Sequence, residues 1–121
     1  VVIVFKAFTT RVGAGPLPDE ISVEEAKKRG WIEYGTVTGR PRRAAPFNSE
    51  LARRAVMLNG ATQAALTKLD VLYPECKGAK SFSRLSKNAK AFVEDIEKEI
   101  GIPVALIGTG PDALEMVDRR E

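Results

Sequence analysis

Three short apolar runs, at residues 1–5, 63–69 and 103–107, each open onto a loop rich in glycine, threonine or charge. Residues 1–5 are largely β-branched, the pattern of a buried strand. Helical signatures separate the runs. Short apolar strands alternating with helices predict an α/β fold built on one sheet. In such sheets ligands gather at the carboxyl ends of the strands. The loops at 9–15, 67–70 and 108–110 are therefore where chemistry is expected.

The helix signals are local and physical. Ser22-Val23-Glu24-Glu25 is a capping box, so a short helix is expected over 23–29, closed by Gly30. Residues 31–34 read as a brief strand and 35–46 as a polar loop. Asn48 or Ser49 caps a helix over 50–58 that stops at Asn59-Gly60, with Leu51, Ala55 and Leu58 on one face. Residues 73–80 read as a loop. Ser86 opens the clearest helix, where Ala89, Phe92, Val93, Ile96 and Ile100 recur at helical spacing before Gly101. Residues 113–117 are expected to add a last short strand.

Composition narrows the function classes. The 121 residues suffice for one domain, and 44% are hydrophobic. No apolar run approaches the ~20 residues of a bilayer span, and the run at 1–5 is too short and wrongly flanked to read as a signal peptide. The single Cys76 has no internal disulfide partner and fits a reducing, cytoplasmic setting. The net charge of +3 and pI near 9.2 suit anionic ligands. There is no histidine, hence no imidazole for acid–base or metal chemistry and no Ser-His-Asp or Cys-His arrangement. A chain that opens on Val1 in a strand pattern and lacks histidine points to a piece of a longer polypeptide.

Thr67-Lys68-Leu69-Asp70 stands at the end of the second run, directly after its apolar part at 63–66. A strand ending in Thr/Asn-Lys-x-Asp is a way to read guanine. An ionised Asp accepts both N1–H and the N2 amine, whereas adenine would leave that carboxylate unpaired, at a cost of ~1–3 kcal/mol or more. The Lys stem is expected to lie against the ring while its ammonium ties down neighbouring backbone. Gly108-Thr109-Gly110 suits a second guanine-contacting loop, where glycines permit close backbone approach. The stretch 36–43, Thr-Val-Thr-Gly-Arg-Pro-Arg-Arg, combines hydroxyls, a glycine and three arginines, a set that carboxylates and phosphates need. Pro41 biases Arg40 toward extended backbone, so Arg40 and Arg42 project to one side and Arg43 to the other. The stretch 9–15 lacks the G-x-x-x-x-G-K-[ST] pattern and reads as a structural turn beside the site. Asp19-Glu20, Glu24-Glu25 and Glu94-Asp95 read as helix-start and solvent-face charges.

In their order, the stretches 5–16, 33–43, 66–72 and 107–112 resemble the C-terminal part of the adenylosuccinate synthetase family, across nearly the whole chain. The resemblance implies a P-loop-NTPase-like α/β fold, with residues 1–121 forming the C-terminal part of a mixed, mostly parallel sheet with flanking helices. It implies a GTP-dependent ligase that joins IMP and L-aspartate into adenylosuccinate, with GDP and phosphate released. Thr36, Val37, Thr38, Gly39, Arg40, Pro41 and Arg42 would form the aspartate loop, with Arg40 also near IMP and Arg42 near GTP. Lys68, Leu69, Asp70, Gly108, Thr109 and Gly110 would hold guanine. The family carries Thr where this chain has Val37, and most members are longer between Tyr73 and Ser86. Its phosphate loop, catalytic Asp and His and Mg²⁺ ligands have no counterpart here, so no catalytic or metal-binding residue is assigned. The chain alone is expected to be inactive, and the whole enzyme to be a cytoplasmic homodimer.

Two other readings stand beside this one. A basic RNA-binding module would use Arg40–Arg43 with Arg53 and Arg54, but no aromatic residue interleaves those arginines for base stacking. A fragment of another GTP-binding protein would not be expected to carry the arginine-rich loop.

Overall fold

The computed structural model describes residues 1–37 and 39–120. Among them, β1 (Val2–Lys6), β4 (Gln63–Thr67), β5 (Val104–Gly108) and β6 (Met116–Asp118) form one sheet in the order β1-β4-β5-β6. β1, β4 and β5 run parallel, and β6 returns antiparallel along β5. A separate antiparallel pair joins β2 (Phe8–Arg11) to β3 (Arg43–Pro46). The helices are α1 (Val23–Arg29), α2 (Ser49–Asn59), the single turn α3 (Leu69–Leu72) and α4 (Lys87–Ile100). No helix among the described residues is long and apolar enough to cross a membrane. The expected mixed, mostly parallel α/β sheet is the observed one.

The helix ends follow the capping signals. Ser22 accepts from Glu25 N–H at 3.1 Å, Asn48 from Leu51 N–H at 3.1 Å and Ser86 from Ala89 N–H at 3.3 Å. Each such cap satisfies a donor that the helix itself cannot, and stabilises by ~1 kcal/mol. α1, α2 and α4 end at Gly30, Gly60 and Gly101, as read. α4 crosses from β4 to β5 and buries Ala89, Val93, Ile96 and Ile100 against the sheet. Leu66, Leu69 and Ile107 are fully buried beneath it, each contributing about 1.5–3 kcal/mol of apolar burial. A second cluster joins Phe8, Ala26, Trp31 and Ala44, with Phe8 and Trp31 stacked at 5.2 Å. It fastens α1 and the β2–β3 pair beside the main sheet.

Several local expectations are corrected. Residues 9–11 are part of β2 rather than a loop, and β3 lies inside the segment read as polar loop. Residues 31–34 form no strand; Tyr34 makes an isolated bridge to Pro41. The strand read over 63–69 stops at Thr67 because Lys68 turns into the left-handed region, φ 62°. Residues 74–76 of the expected loop form a short 3₁₀ turn. The last strand is Met116–Asp118, slightly later than read. β1 is not buried on both faces: it lies at the end of the sheet beside β4, and Val4 is 64% exposed. The Leu51–Leu58 face of α2 is outward, and the helix buries Ala52 instead. Small Ala52 lets α2 approach the sheet closely, which leaves the larger residues on the open side.

Candidate functional site

Parallel pairing puts the carboxyl ends of β1, β4 and β5 along one edge. Lys6 stands opposite Thr67, and Leu66 opposite Ile107, so Thr67 and Gly108 are neighbours across the sheet. The approach at Gly108 is close, because a Cβ there would lie 3.4 Å from Thr67 Cα. Lys68 then takes its left-handed conformation, which costs a non-glycine residue about 1–2 kcal/mol. That turn directs the chain into α3, where Leu69 plugs into the core with no exposure. With its side chain buried, Leu69 has only backbone to offer a ligand. Asp70 follows on the first turn, half-buried, and no cation pairs with it among the described residues. An unneutralised carboxylate at a strand end is free to accept from a ligand.

Glu33 is the centre of the site's electrostatics, and sequence reasoning missed it. Its carboxylate accepts from Lys6 Nζ at 3.0 and 3.2 Å, from Arg42 Nη1 at 3.1 Å and from Lys68 Nζ at 2.5 Å. The Thr10 hydroxyl lies 3.5 Å away and accepts a short bond from Lys6. The Lys6 and Lys68 ammonium groups also face the Phe8 ring, at 5.3 and 5.9 Å from its centroid. Burial pushes the Glu33 pKa up, but hydrogen bonds from Lys68 and Lys6 outweigh it and hold the group below the ordinary carboxylate range. Three cations against one carboxylate leave an excess of positive charge, which favours an anionic ligand. The expectation that the Lys68 ammonium ties down neighbouring backbone is corrected: it engages the Glu33 side chain.

The arginine loop is held from both ends. Arg42 N–H donates to Glu33 C=O at 2.7 Å, and Gly35 N–H to Arg40 C=O at 2.9 Å. Arg42 and Arg43 diverge as the alternation requires. Arg43 forms a two-pronged pair with Glu20, at 2.9 and 2.6 Å, and donates to Gly13 C=O at 2.9 Å. It pins the glycine loop instead of meeting a ligand. Arg42 keeps a buried Nε with no acceptor among the described residues, a vacancy that costs ~1–3 kcal/mol until an oxygen fills it. Arg11, Arg40, Pro41, Arg42 and Arg43 line a cleft of about 210 Å³. Thr36, Val37, Gly39 and Arg40 are exposed on this loop, and Thr38 lies outside the described residues.

The loop after β5 is a rigid platform. Thr109 is fully buried; its hydroxyl donates to Ala79 C=O at 2.7 Å and its N–H to Glu115 C=O at 2.9 Å. Its carbonyl accepts from Gly78 N–H at 3.0 Å. Direct ligand contact from this loop therefore falls to Gly108 and Gly110. At Gly110 the Glu115 carboxylate fills the space a side chain would need, 2.2 Å from an ideal Cβ.

The structure thus links Arg42 and Lys68 through Glu33, and sets Gly108 beside Thr67. Lys6, Thr10, Arg11 and Glu33 were not singled out from sequence. Lys6 does carry a signal, as a charge at the carboxyl end of a parallel strand. Glu33 carries none, because its partners are distant in the chain.

Comparison with known proteins gives one consistent family. The adenylosuccinate synthetase family model matches residues 1–77. The adenylosuccinate synthetase of Methanosphaera stadtmanae is 51% identical over 120 residues, 99% of this chain and 35% of that protein. The Methanocaldococcus jannaschii protein of the same name is 54% identical over 120 residues, again 99% and 35%. The Archaeoglobus fulgidus one is 50% identical over 121 residues, 100% and 36%. The chain thus spans about a third of the length of these relatives. A fully ligated adenylosuccinate synthetase from Plasmodium falciparum superposes with a TM-score of 0.83 at 24% identity, over 95% of this chain and 38% of that one. A succinoaminodeoxyadenylate synthetase of cyanophage S-2L, bound to dGMP and dATP, gives 0.62 at 23% identity, over 97% and 32%. At those identities the structural likeness speaks for the fold.

Proposed function

This chain belongs to the adenylosuccinate synthetase family, and from that premise we propose that it is the guanine- and aspartate-binding portion of an enzyme joining IMP to L-aspartate with GTP. One observation carries the reading. A single carboxylate, Glu33, gathers Arg42 of the arginine loop and Lys68 of the guanine turn at the carboxyl edge of the sheet. That edge is where such sheets bind ligands, and the excess positive charge there suits phosphates and carboxylates.

In this reading Asp70 accepts from N1–H and the N2 amine of guanine, and the Lys68 stem lies along the ring. Gly108 and Gly110 bring backbone close to the base, while Thr109 holds their loop rigid. Arg42 meets the nucleotide through the part of its side chain that stays exposed. Arg40 serves the IMP ribose and, with Thr36, Val37, Thr38, Gly39 and Pro41, the aspartate carboxylates. These residues bind and orient, which is most of what phosphoryl transfer asks of a protein. No group of three or more His, Cys, Asp or Glu side chains among the described residues is placed to hold a metal. In this reading the Mg²⁺ that the family implies takes its ligands from the rest of the enzyme. The homodimer and the cytoplasmic setting rest on the family alone. The RNA-binding alternative loses Arg43 from its basic stripe, since that guanidinium is paired with the Glu20 carboxylate.

The test is a switch of base preference in the full-length enzyme. Asp70→Asn should lower kcat/KM for GTP on the order of a hundredfold, because the charge-assisted hydrogen bonds to the base are lost and the new amide sets a donor against the N2 amine. It should also let xanthosine triphosphate compete, since xanthine presents the swapped donor and acceptor. Unchanged guanine preference in that variant would overturn the assignment.

A further inference from the structure

We propose that Glu33 is a positioning residue, whose one carboxylate sets the reach of both the Lys68 ammonium and the Arg42 guanidinium and so couples the arginine loop to the guanine turn. The inference deepens the functional reading above and rests on it.

An ordinary structural ion pair is one-to-one and leaves little charge over. Here residues 6, 42 and 68, from three separate segments, converge on one side chain. The carboxylate is the least exposed member, at 14%, whereas the Lys68 and Arg42 side chains remain 43% and 30% exposed. The anion lies beneath and the cations remain accessible above it. Lys68 is fixed at both ends of its side chain, by its left-handed backbone and by the 2.5 Å bond to Glu33. Arg42 is fixed through Nη1, while its Nε stays buried without an acceptor. Phe8, stacked on Trp31, closes the side facing Lys6 and Lys68. A neutral glutamine at 33 would keep the shape and give up the charge that gathers the three cations.

The experiment is steady-state kinetics of the full-length enzyme at constant, near-physiological salt. Glu33→Gln should raise KM for GTP about tenfold and change kcat by less than about threefold, the pattern of lost ground-state binding. KM for aspartate should rise by a smaller factor, because the backbone bond from Arg42 to the Glu33 carbonyl survives the substitution. In a Lys68→Met background, Glu33→Gln should add little to KM for GTP, since both changes disable one device. Glu33→Asp, with charge kept and reach shortened, should recover part of the loss. If near-UV circular dichroism shows that Glu33→Gln does not fold, Glu33→Asp decides alone: a raised KM for GTP supports the proposal, and an unchanged one overturns it. A Glu33→Gln KM for GTP within about twofold of wild type, or full additivity with Lys68→Met, overturns it and leaves Glu33 a structural ion-pair residue. The wild-type control separates the two readings. If the wild-type enzyme fails to join IMP and aspartate with GTP, the functional reading fails; if it succeeds and Glu33→Gln is silent, only the positioning role does.

Discussion

Glu33 is 14% exposed between three cations, and burial by itself would raise its pKa. The hydrogen bonds from Lys68 and Lys6 reverse that, so the folded value lies below the ordinary 4.5. A depressed carboxyl contributes its full stability above the unfolded value and loses it as pH falls through the folded one. Denaturant unfolding between pH ~7 and ~3 should therefore show wild type losing stability below the ordinary glutamate range more steeply than Glu33→Gln. Parallel pH profiles for the two proteins would mean that the contacts hold no net stability. The same residue shows where sequence reading ends at this scale. Asp70 and Lys68 were legible because a short motif places them within three residues of a strand end. Glu33 meets partners 27, 9 and 35 positions away, and only the folded chain makes that cluster.

At the scale of elements, the signals that worked were local ones. Ser22, Asn48 and Ser86 cap as read, because a cap needs only the next three residues. β2 and β3 escaped notice because Thr-Thr-Arg and Arg-Ala-Ala-Pro lack the alternating apolar pattern of a half-buried strand. What makes them strands is tertiary: Phe8 and Ala44 pack with Trp31 and Ala26. Leu51 and Leu58 share a face, as the spacing shows, but that face is outward, since apolar spacing marks a face without saying whether this chain covers it. The loop after β5 offers a test at this scale. Thr109 is the staple between β5 and residues 78–79. Thr109→Val keeps the shape but leaves the Ala79 carbonyl without its donor, and should cost about 1–3 kcal/mol in urea unfolding. If the platform role holds, KM for GTP should rise as well. A destabilised variant with unchanged KM would make the staple purely structural.

At the scale of the whole molecule, several large apolar side chains stand open on the surface. Val4, Leu51, Met57 and Leu58 are 64%, 56%, 74% and 73% exposed. Leu51, Met57 and Leu58, with Pro16 and Pro18, share a cleft of about 840 Å³ with Arg11, Asn48, Glu50, Arg53 and Arg54. β1 has β4 on one side and no other strand among the described residues on the second, so its backbone groups there stay open to pairing. In the proposed reading these residues bind and orient substrates, and the sequence carries no histidine to move a proton. A polypeptide of only these 121 residues should therefore form no adenylosuccinate from GTP, IMP and L-aspartate. It should also self-associate, with light-scattering mass climbing above 13.2 kDa as concentration rises. Leu51→Lys together with Leu58→Lys should suppress that climb without disturbing the buried face of α2, which uses Ala52. A monomer at every concentration would show that the open faces are tolerated in water. Synthesis by the isolated polypeptide would mean that the chemistry needs no residues beyond those described here.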